Sequence, residues 1–102
     1  MSKDFDINQL REDIVFNTKL RGFDLTFNTT WGTFSPREID EGTVMLLERI
    51  EVNESDNCLD LGCGYGPIGI TMAKLAPNGQ TTLVDRDFIA VEYSNKNIKQ
   101  NN

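Results

Sequence analysis

The stretch Asn57-Cys58-Leu59-Asp60-Leu61-Gly62-Cys63-Gly64-Tyr65-Gly66-Pro67 decides how this chain folds. Its first five residues make a short, mostly apolar run of strand length. A glycine-rich turn follows over 62–66. Pro67 then suits a first helical position, where its missing N–H is one the helix leaves unpaired anyway. Beyond it Ile68, Met72 and Leu75 recur at helical spacing, and Pro77-Asn78-Gly79 breaks the pattern. Thr81-Thr82-Leu83-Val84-Asp85 reads as a second strand ending in an acid, and Asp87 is placed to cap a last helix running to about Asn101. Two strands, each followed by a helix, pair in parallel through a right-handed crossover. Ligands of such sheets bind at the carboxyl ends of the strands. Asp60, the turn 62–66 and Asp85 converge there.

Toward the N-terminus the pattern differs. Residues 1–19 are polar and mixed, with Ile7, Leu10, Ile14 and Val15 at rough helical spacing, and are expected to form a short helix or a loose arm. In 20–28, Phe23, Leu25 and Phe27 alternate as in a strand. Thr29 to Gly32 offer a turn, and Thr33-Phe34-Ser35 is expected to return as the second strand of a hairpin ended by Pro36. Residues 40–50 read as a helix capped by Asp40 or Thr43, with Val44, Leu47 and Ile50 on one face and Leu46 beside them. The expected organisation is an arm over 1–19, a hairpin and helix over 20–56, and two βα units over 57–102. The Asn-rich end, Asn95 to Asn102, is expected to be a fraying helix terminus.

Composition narrows the chemistry. The chain has 102 residues, of the size of one small domain or of a piece of a larger one. Hydrophobic residues at 38% and charged residues at 25% are ordinary for a globular protein. No run of about 18 apolar residues is present to span a membrane, and Met1-Ser2-Lys3-Asp4 lacks the apolar core of a secretion signal. The absence of His excludes a His-based zinc site and a Ser-His-Asp triad. Two cysteines, Cys58 and Cys63, are too few for a disulfide framework, so a reduced, cytoplasmic setting is expected. The net charge of −6 sits entirely in residues 1–56, which hold 12 acids and 6 bases, whereas 57–102 hold 4 of each. Neither half is a basic patch of the kind that neutralises phosphates.

The turn can be parsed in two ways. Gly64-Tyr65-Gly66-Pro67-Ile68-Gly69 is a literal GxGxxG, and Asp85 follows Gly64 by 21 residues, near the spacing of a ribose-binding acid in dinucleotide folds. The other parse begins at Asp60. Charge separates them. A dinucleotide brings an anionic pyrophosphate to the turn and helix N-terminus. Asp60 repels it; two like charges 4 Å apart near a protein surface cost about 4 kcal/mol. Pro67 also withholds one helix-start donor. S-adenosylmethionine carries an ammonium and a sulfonium and no phosphate, so an acidic turn suits it. Asp85 can accept hydrogen bonds from ribose hydroxyls in either ligand and does not discriminate.

Asp60-Leu61-Gly62-Cys63-Gly64-Tyr65-Gly66 resembles motif I of class I S-adenosylmethionine-dependent methyltransferases. Gly32-Thr33-Phe34-Ser35, Ile39-Asp40-Glu41-Gly42-Thr43 and Leu46-Leu47 resemble the segment before that motif in the small-domain group, which includes the ribosomal RNA guanine-N2 methyltransferases. Leu83-Val84-Asp85-Arg86-Asp87, Ala90, Asn97 and Asn101 resemble the same group's second strand and helix. The resemblance covers about 20–102. It implies an α/β fold with a Rossmann-like sheet, truncated after two βα units and preceded by a β-hairpin and helix. It also implies that the backbone of Gly62, Cys63 and Gly64, with Tyr65 beside them, meets the amino-acid end of the cofactor. Asp60 would reach that end, Asp85 would clamp the ribose, and Arg86 would lie beside the adenine. Arg86 departs from the family's usual apolar residue.

The family's Asn-Pro-Pro-aromatic segment, which holds the target amine, has no counterpart: the only prolines are Pro36, Pro67 and Pro77. The resemblance therefore implies a donor-binding portion of an RNA methyltransferase that is inactive by itself. A sheet cut after two units is expected to self-associate or to meet a complementing segment. Other readings stay open at this level: an NAD-dependent dehydrogenase fragment, or a scaffold that keeps the fold. So do plainer roles for single residues, with Asp60 capping the turn, Tyr65 packing, Cys58 buried in the core, and Trp31, Phe27 and Phe34 packed rather than stacking on bases.

Overall fold

A computed structural model of the chain describes residues 13–31, 33 and 36–102. Its elements run β1 (Ile14–Leu20), β2 (Phe23–Thr29), α1 (Glu41–Arg49), β3 (Cys58–Leu61), α2 (Pro67–Leu75), β4 (Thr81–Val84) and α3 (Phe88–Gln100). The strands form two separate pairs. β1 and β2 are antiparallel, with Phe16 opposite Phe27; β3 and β4 are parallel, with Asp60 opposite Leu83. The α/β class, the N-terminal hairpin and helix, and the two βα units are as the sequence implies.

The hairpin is present with a different partner. Phe23–Thr29 pairs backward with Ile14–Leu20, residues expected to be an arm or helix, around the two-residue turn Arg21-Gly22. Both turn residues have positive φ, 52° and 86°, as a tight hairpin turn matched to strand twist requires. Period-two alternation decides the strand: Ile14, Phe16, Thr18 and Leu20 turn inward while Val15, Asn17 and Lys19 are exposed. Thr33, expected in a return strand, is a bend; Phe34 and Ser35, like Ile7 and Leu10, lie outside the described residues. Arg21 also ties the hairpin to α1. Its Nη1 donates to Leu47 O and Ile50 O, 2.8 Å each, satisfying carbonyls at the helix C-terminus.

The core lies between the hairpin and the helices, built on Leu20, Leu25, Phe27, Leu47, Tyr65, Ile70 and Tyr93. Phe27 is fully buried, with the rings of Phe16 (tilted, 5.8 Å) and Tyr65 (edge-on, 5.6 Å) against it and 6.2 Å from each other. On α1, Leu47 is buried, Val44 and Ile50 pack at the margin, and Leu46 is exposed. On α2 the buried residues are Gly69, Ile70 and Thr71, while Ile68, Met72 and Leu75, the expected stripe, are half-buried. The reason is that α2 packs against β3 and β4 on one side and α1 on another. Cys58, expected in the core, is half-buried at the start of β3.

Gly69 is the residue that lets α2 approach β4. A Cβ there would lie 2.6 Å and 2.8 Å from the Leu83 methyls, too close for any real side chain. Gly69→Ala is expected to destabilise the chain by about 1–3 kcal/mol through overpacking. Thermal melts check this: each kcal/mol corresponds to about 4–8 °C in a domain of this size.

α3 completes the hairpin from the side opposite β1. Asn101 Oδ1 accepts from Thr26 N at 2.9 Å, and its Nδ2 donates to Thr26 O at 2.8 Å. Asn97 repeats the pattern at Asn28, accepting from the backbone N at 2.6 Å and donating to the O at 2.9 Å. Two side-chain amides one helical turn apart thus stand in for a neighbouring strand and cover the open edge of β2. The C-terminal asparagines are therefore not a frayed end: Asn97 is completely buried.

Candidate functional site

The turn between β3 and α2 owes its shape to glycine. Gly62, Gly64 and Gly66 have φ of 72°, 59° and 104°, where a Cβ would be strained. The protein itself uses the turn's donors. Gly62 N and Cys63 N both donate to Val84 O, at 2.7 Å and 3.0 Å. Gly64 N donates to Asp85 Oδ2 at 3.0 Å, and Gly66 N to Cys63 O at 3.0 Å.

Asp60 sits at the tip of β3, only 7% exposed. Its Oδ2 accepts from Gly69 N at 2.9 Å in the first turn of α2. Because the helix N-cap is Gly66, which has no side chain to offer, Asp60 acts as the cap from the neighbouring strand. Burial pushes its carboxyl above the usual carboxylate range, the Gly69 N–H opposes this, and the negative charge of Asp85 adds to it.

Asp85 follows β4. Besides Gly64 N, it accepts from Asp87 N at 2.9 Å through Oδ1. The N–H groups of Asp87 and Gly64 hold its carboxyl below the ordinary value. The cap of α3 is Asp87 itself, which accepts from Ile89 N at 3.0 Å.

A crevice of about 160 Å³ opens beside the turn. Asp60, Gly62, Cys63, Gly64 and Tyr65 line it together with Asp40, Thr43, Pro67 and Ile68. Five of the seven expected site residues are thus brought together. Asp85 is not among the lining residues but is bonded to one of them, Gly64, and Arg86 is exposed outside the lining. Tyr65 contributes chiefly to the core: its ring is buried, its hydroxyl donates to Glu38 O at 3.4 Å, and burial followed by the Asp40 charge pushes its pKa up to about 12. Cys63 is buried with Sγ 3.3 Å from Ser94 Oγ, and burial raises its thiol pKa, so it is no reactive thiolate. Trp31, expected to pack, is 47% exposed beneath the Arg37 guanidinium, 4.7 Å from its ring centre.

Asp40, Thr43, Pro67 and Ile68 also line the crevice, although the sequence assigns them only helix roles. Asp40 stood out only as a cap, and it does cap α1, accepting from Thr43 N at 3.2 Å. The Asp40-Glu41-Gly42-Thr43 block was the available signal.

The lining tests which ligand fits. It carries two carboxylates and no Lys or Arg. Gly64 N and Gly69 N, the donors a pyrophosphate needs, are held by Asp85 and Asp60, and Pro67 has none. The crevice therefore suits a group bearing positive charge and disfavours a diphosphate. Among the described residues no cluster of metal-ligating side chains is present and no helix is long and apolar enough to cross a membrane.

Comparison with known proteins identifies the family. The family model for the methyltransferase small domain matches residues 24–102. Uncharacterized protein YbxB of Bacillus subtilis is 40% identical over 88 residues, covering 85% of this chain and 44% of that protein. Ribosomal RNA small subunit methyltransferase C of Haemophilus influenzae is 42% identical over 77 residues, covering 76% of this chain and 23% of that protein. Among solved structures, the T. Thermophilus 16S rRNA N2 G1207 methyltransferase in complex with AdoMet and guanosine superposes with a TM-score of 0.77 at 26% identity, covering 85% of this chain and 24% of that one. The chain spans less than half the length of each of these relatives. On the family match over 24–102, together with the glycine turn, its two flanking acids and the parallel βα units, this chain belongs to the methyltransferase small-domain family.

Proposed function

We propose that this chain is the methyl-donor-binding portion of an S-adenosylmethionine-dependent methyltransferase acting on RNA, such as a guanine amine of ribosomal RNA. The observation that carries the reading is the acidic crevice beside which the N–H groups of Gly64 and Gly69 are already held by Asp85 and Asp60. S-adenosylmethionine supplies an electrophilic methyl group on a sulfonium. Asp60, held by Gly69 N–H, faces the ammonium of the donor's amino-acid end, around which Gly62, Cys63, Gly64 and Tyr65 wrap. Asp85 retains acceptor capacity on each oxygen after its backbone bonds and takes the ribose hydroxyls. Arg86 borders the adenine. Methyl transfer is an in-line displacement in which alignment supplies about 7–11 kcal/mol of the barrier.

The RNA substrate is supported by the relatives' names, which specify ribosomal RNA. These 102 residues hold no Asn-Pro-Pro segment for the acceptor, which supports donor binding with little or no methylation of RNA by the chain alone. That work fits a cytoplasmic setting. The open face of β3 and β4, where Leu59, Leu61 and Val84 are exposed, supports covering by a second copy or a further segment. Sedimentation as a monomer at every concentration contradicts the second copy.

Thermal melts with added ligand test the function. S-adenosylhomocysteine at a hundred times its Kd is expected to stabilise the chain by about 2.7 kcal/mol, with no effect of NAD. Stabilisation by NAD alone favours the dehydrogenase, and stabilisation by neither favours a scaffold.

A further inference from the structure

We propose that Ser94 and Asn97, on the inward face of α3, are positioning residues that hold the donor-binding turn in shape; the proposal deepens the donor-binding reading and rests on it. A turn with three glycines at positive φ has high conformational entropy when free and offers few side chains of its own to fix it. β4 fixes one side of it through Val84 O and Asp85. The other side is held by α3. Ser94 Oγ donates to Gly64 O at 2.7 Å, and Asn97 Nδ2 donates to Tyr65 O at 2.8 Å. Two successive carbonyls of the turn are thereby fixed on the helix.

Asn97 is itself locked. Its Oδ1 accepts from Asn28 N, so the amide cannot rotate away without also releasing the edge of β2. Ser94 is 4% exposed and Asn97 fully buried, and neither lines the crevice. They act on the donor only through the turn. Asn101, one helical turn further, makes the same kind of bonds to Thr26 and none to the turn. It serves as an internal control for stability without positioning.

The test uses the whole chain and its Ser94→Ala and Asn101→Ala variants. Calorimetric titration gives the S-adenosylhomocysteine Kd, and amide hydrogen exchange is followed at Gly64, Tyr65 and Gly66. Ser94→Ala is expected to weaken binding about tenfold, the effect of one lost buried hydrogen bond, and to speed exchange in the turn. Asn101→Ala is expected to lower the thermal midpoint while leaving Kd and turn exchange as in the unaltered chain. Equal Kd for Ser94→Ala and the unaltered chain overturns the proposal, as does equal weakening by Asn101→Ala. If Asn101→Ala does not fold, Asp13→Ala takes its place, removing the acceptor for Tyr93 and Lys96 on the same helix. If the unaltered chain binds no S-adenosylhomocysteine, the donor-binding reading fails, and exchange alone decides positioning. Faster turn exchange in Ser94→Ala alone supports it; unchanged exchange overturns it.

Discussion

Asp60→Asn is expected to weaken S-adenosylhomocysteine binding about 10- to 100-fold and to leave the ligand-free chain as stable as before or more so. The two effects have separate causes. An asparagine Oδ1 can still accept from Gly69 N, so the cap on α2 survives. What disappears is the charge opposite the ligand's ammonium, and a hydrogen bond to a charged group contributes about 1.5–3 kcal/mol. Stability moves the other way because the fold penalises the ionised carboxyl. Burial first, and then Asp85, raise its pKa above the ordinary value of 3.8. The folded chain therefore binds this proton more tightly than the unfolded chain. Stability contributed by Asp60 falls as pH rises from about 3.8 through the raised folded value, and the penalty is fully present above that value. Asparagine removes it. Titration calorimetry and melts at pH 7 check both halves. Unchanged affinity with a lowered melting point would reduce Asp60 to a structural cap.

Asn97→Ala is expected to cost about 2–4 kcal/mol. The substitution deprives Asn28 N, Asn28 O and Tyr65 O of their partners at once and leaves a cavity at a completely buried position. An orphaned buried polar group costs about 1–3 kcal/mol, and the lost packing adds to it. Urea unfolding measures the loss as a lowered midpoint. Asn95→Ala, on the exposed face of the same helix, is expected to change stability by no more than about 0.5 kcal/mol. Equal midpoints for the two variants contradict the stitching role of Asn97.

Local rules suffice where each residue's neighbours in sequence are also its neighbours in space. The parallel βα units were legible for that reason: a short apolar run, a glycine turn, a proline at N1 and a 3.6-residue period all lie within one segment. Asp40 and Asp87 cap helices where the sequence places them. The hairpin was misassigned because Ile7, Leu10, Ile14 and Val15 present a helical spacing that competes with the two-residue period of Ile14–Leu20. The deciding turn contains Arg21 at positive φ, an unusual residue there, held by carbonyls of α1 that are distant in sequence.

The same limit governs the site. Asp60 and Asp85 were legible as strand-end acids, because strand tips in a parallel sheet face the ligand crevice. Their bonds to Gly69 N and Gly64 N were not, since these depend on how closely α2 and the turn approach. Ser94, Asn97 and Asn101 share one face of α3, yet their purpose emerges only once β2 and the turn are laid against that helix.

The most direct measurement is an NMR titration of the isotopically labelled chain with S-adenosylmethionine, and in parallel with NAD. Saturable shifts at the amides of Gly62, Cys63, Gly64 and Arg86 are expected with S-adenosylmethionine and not with NAD. A turn that responds to the diphosphate and ignores the sulfonium at millimolar concentration would contradict the cationic-nucleoside crevice outright.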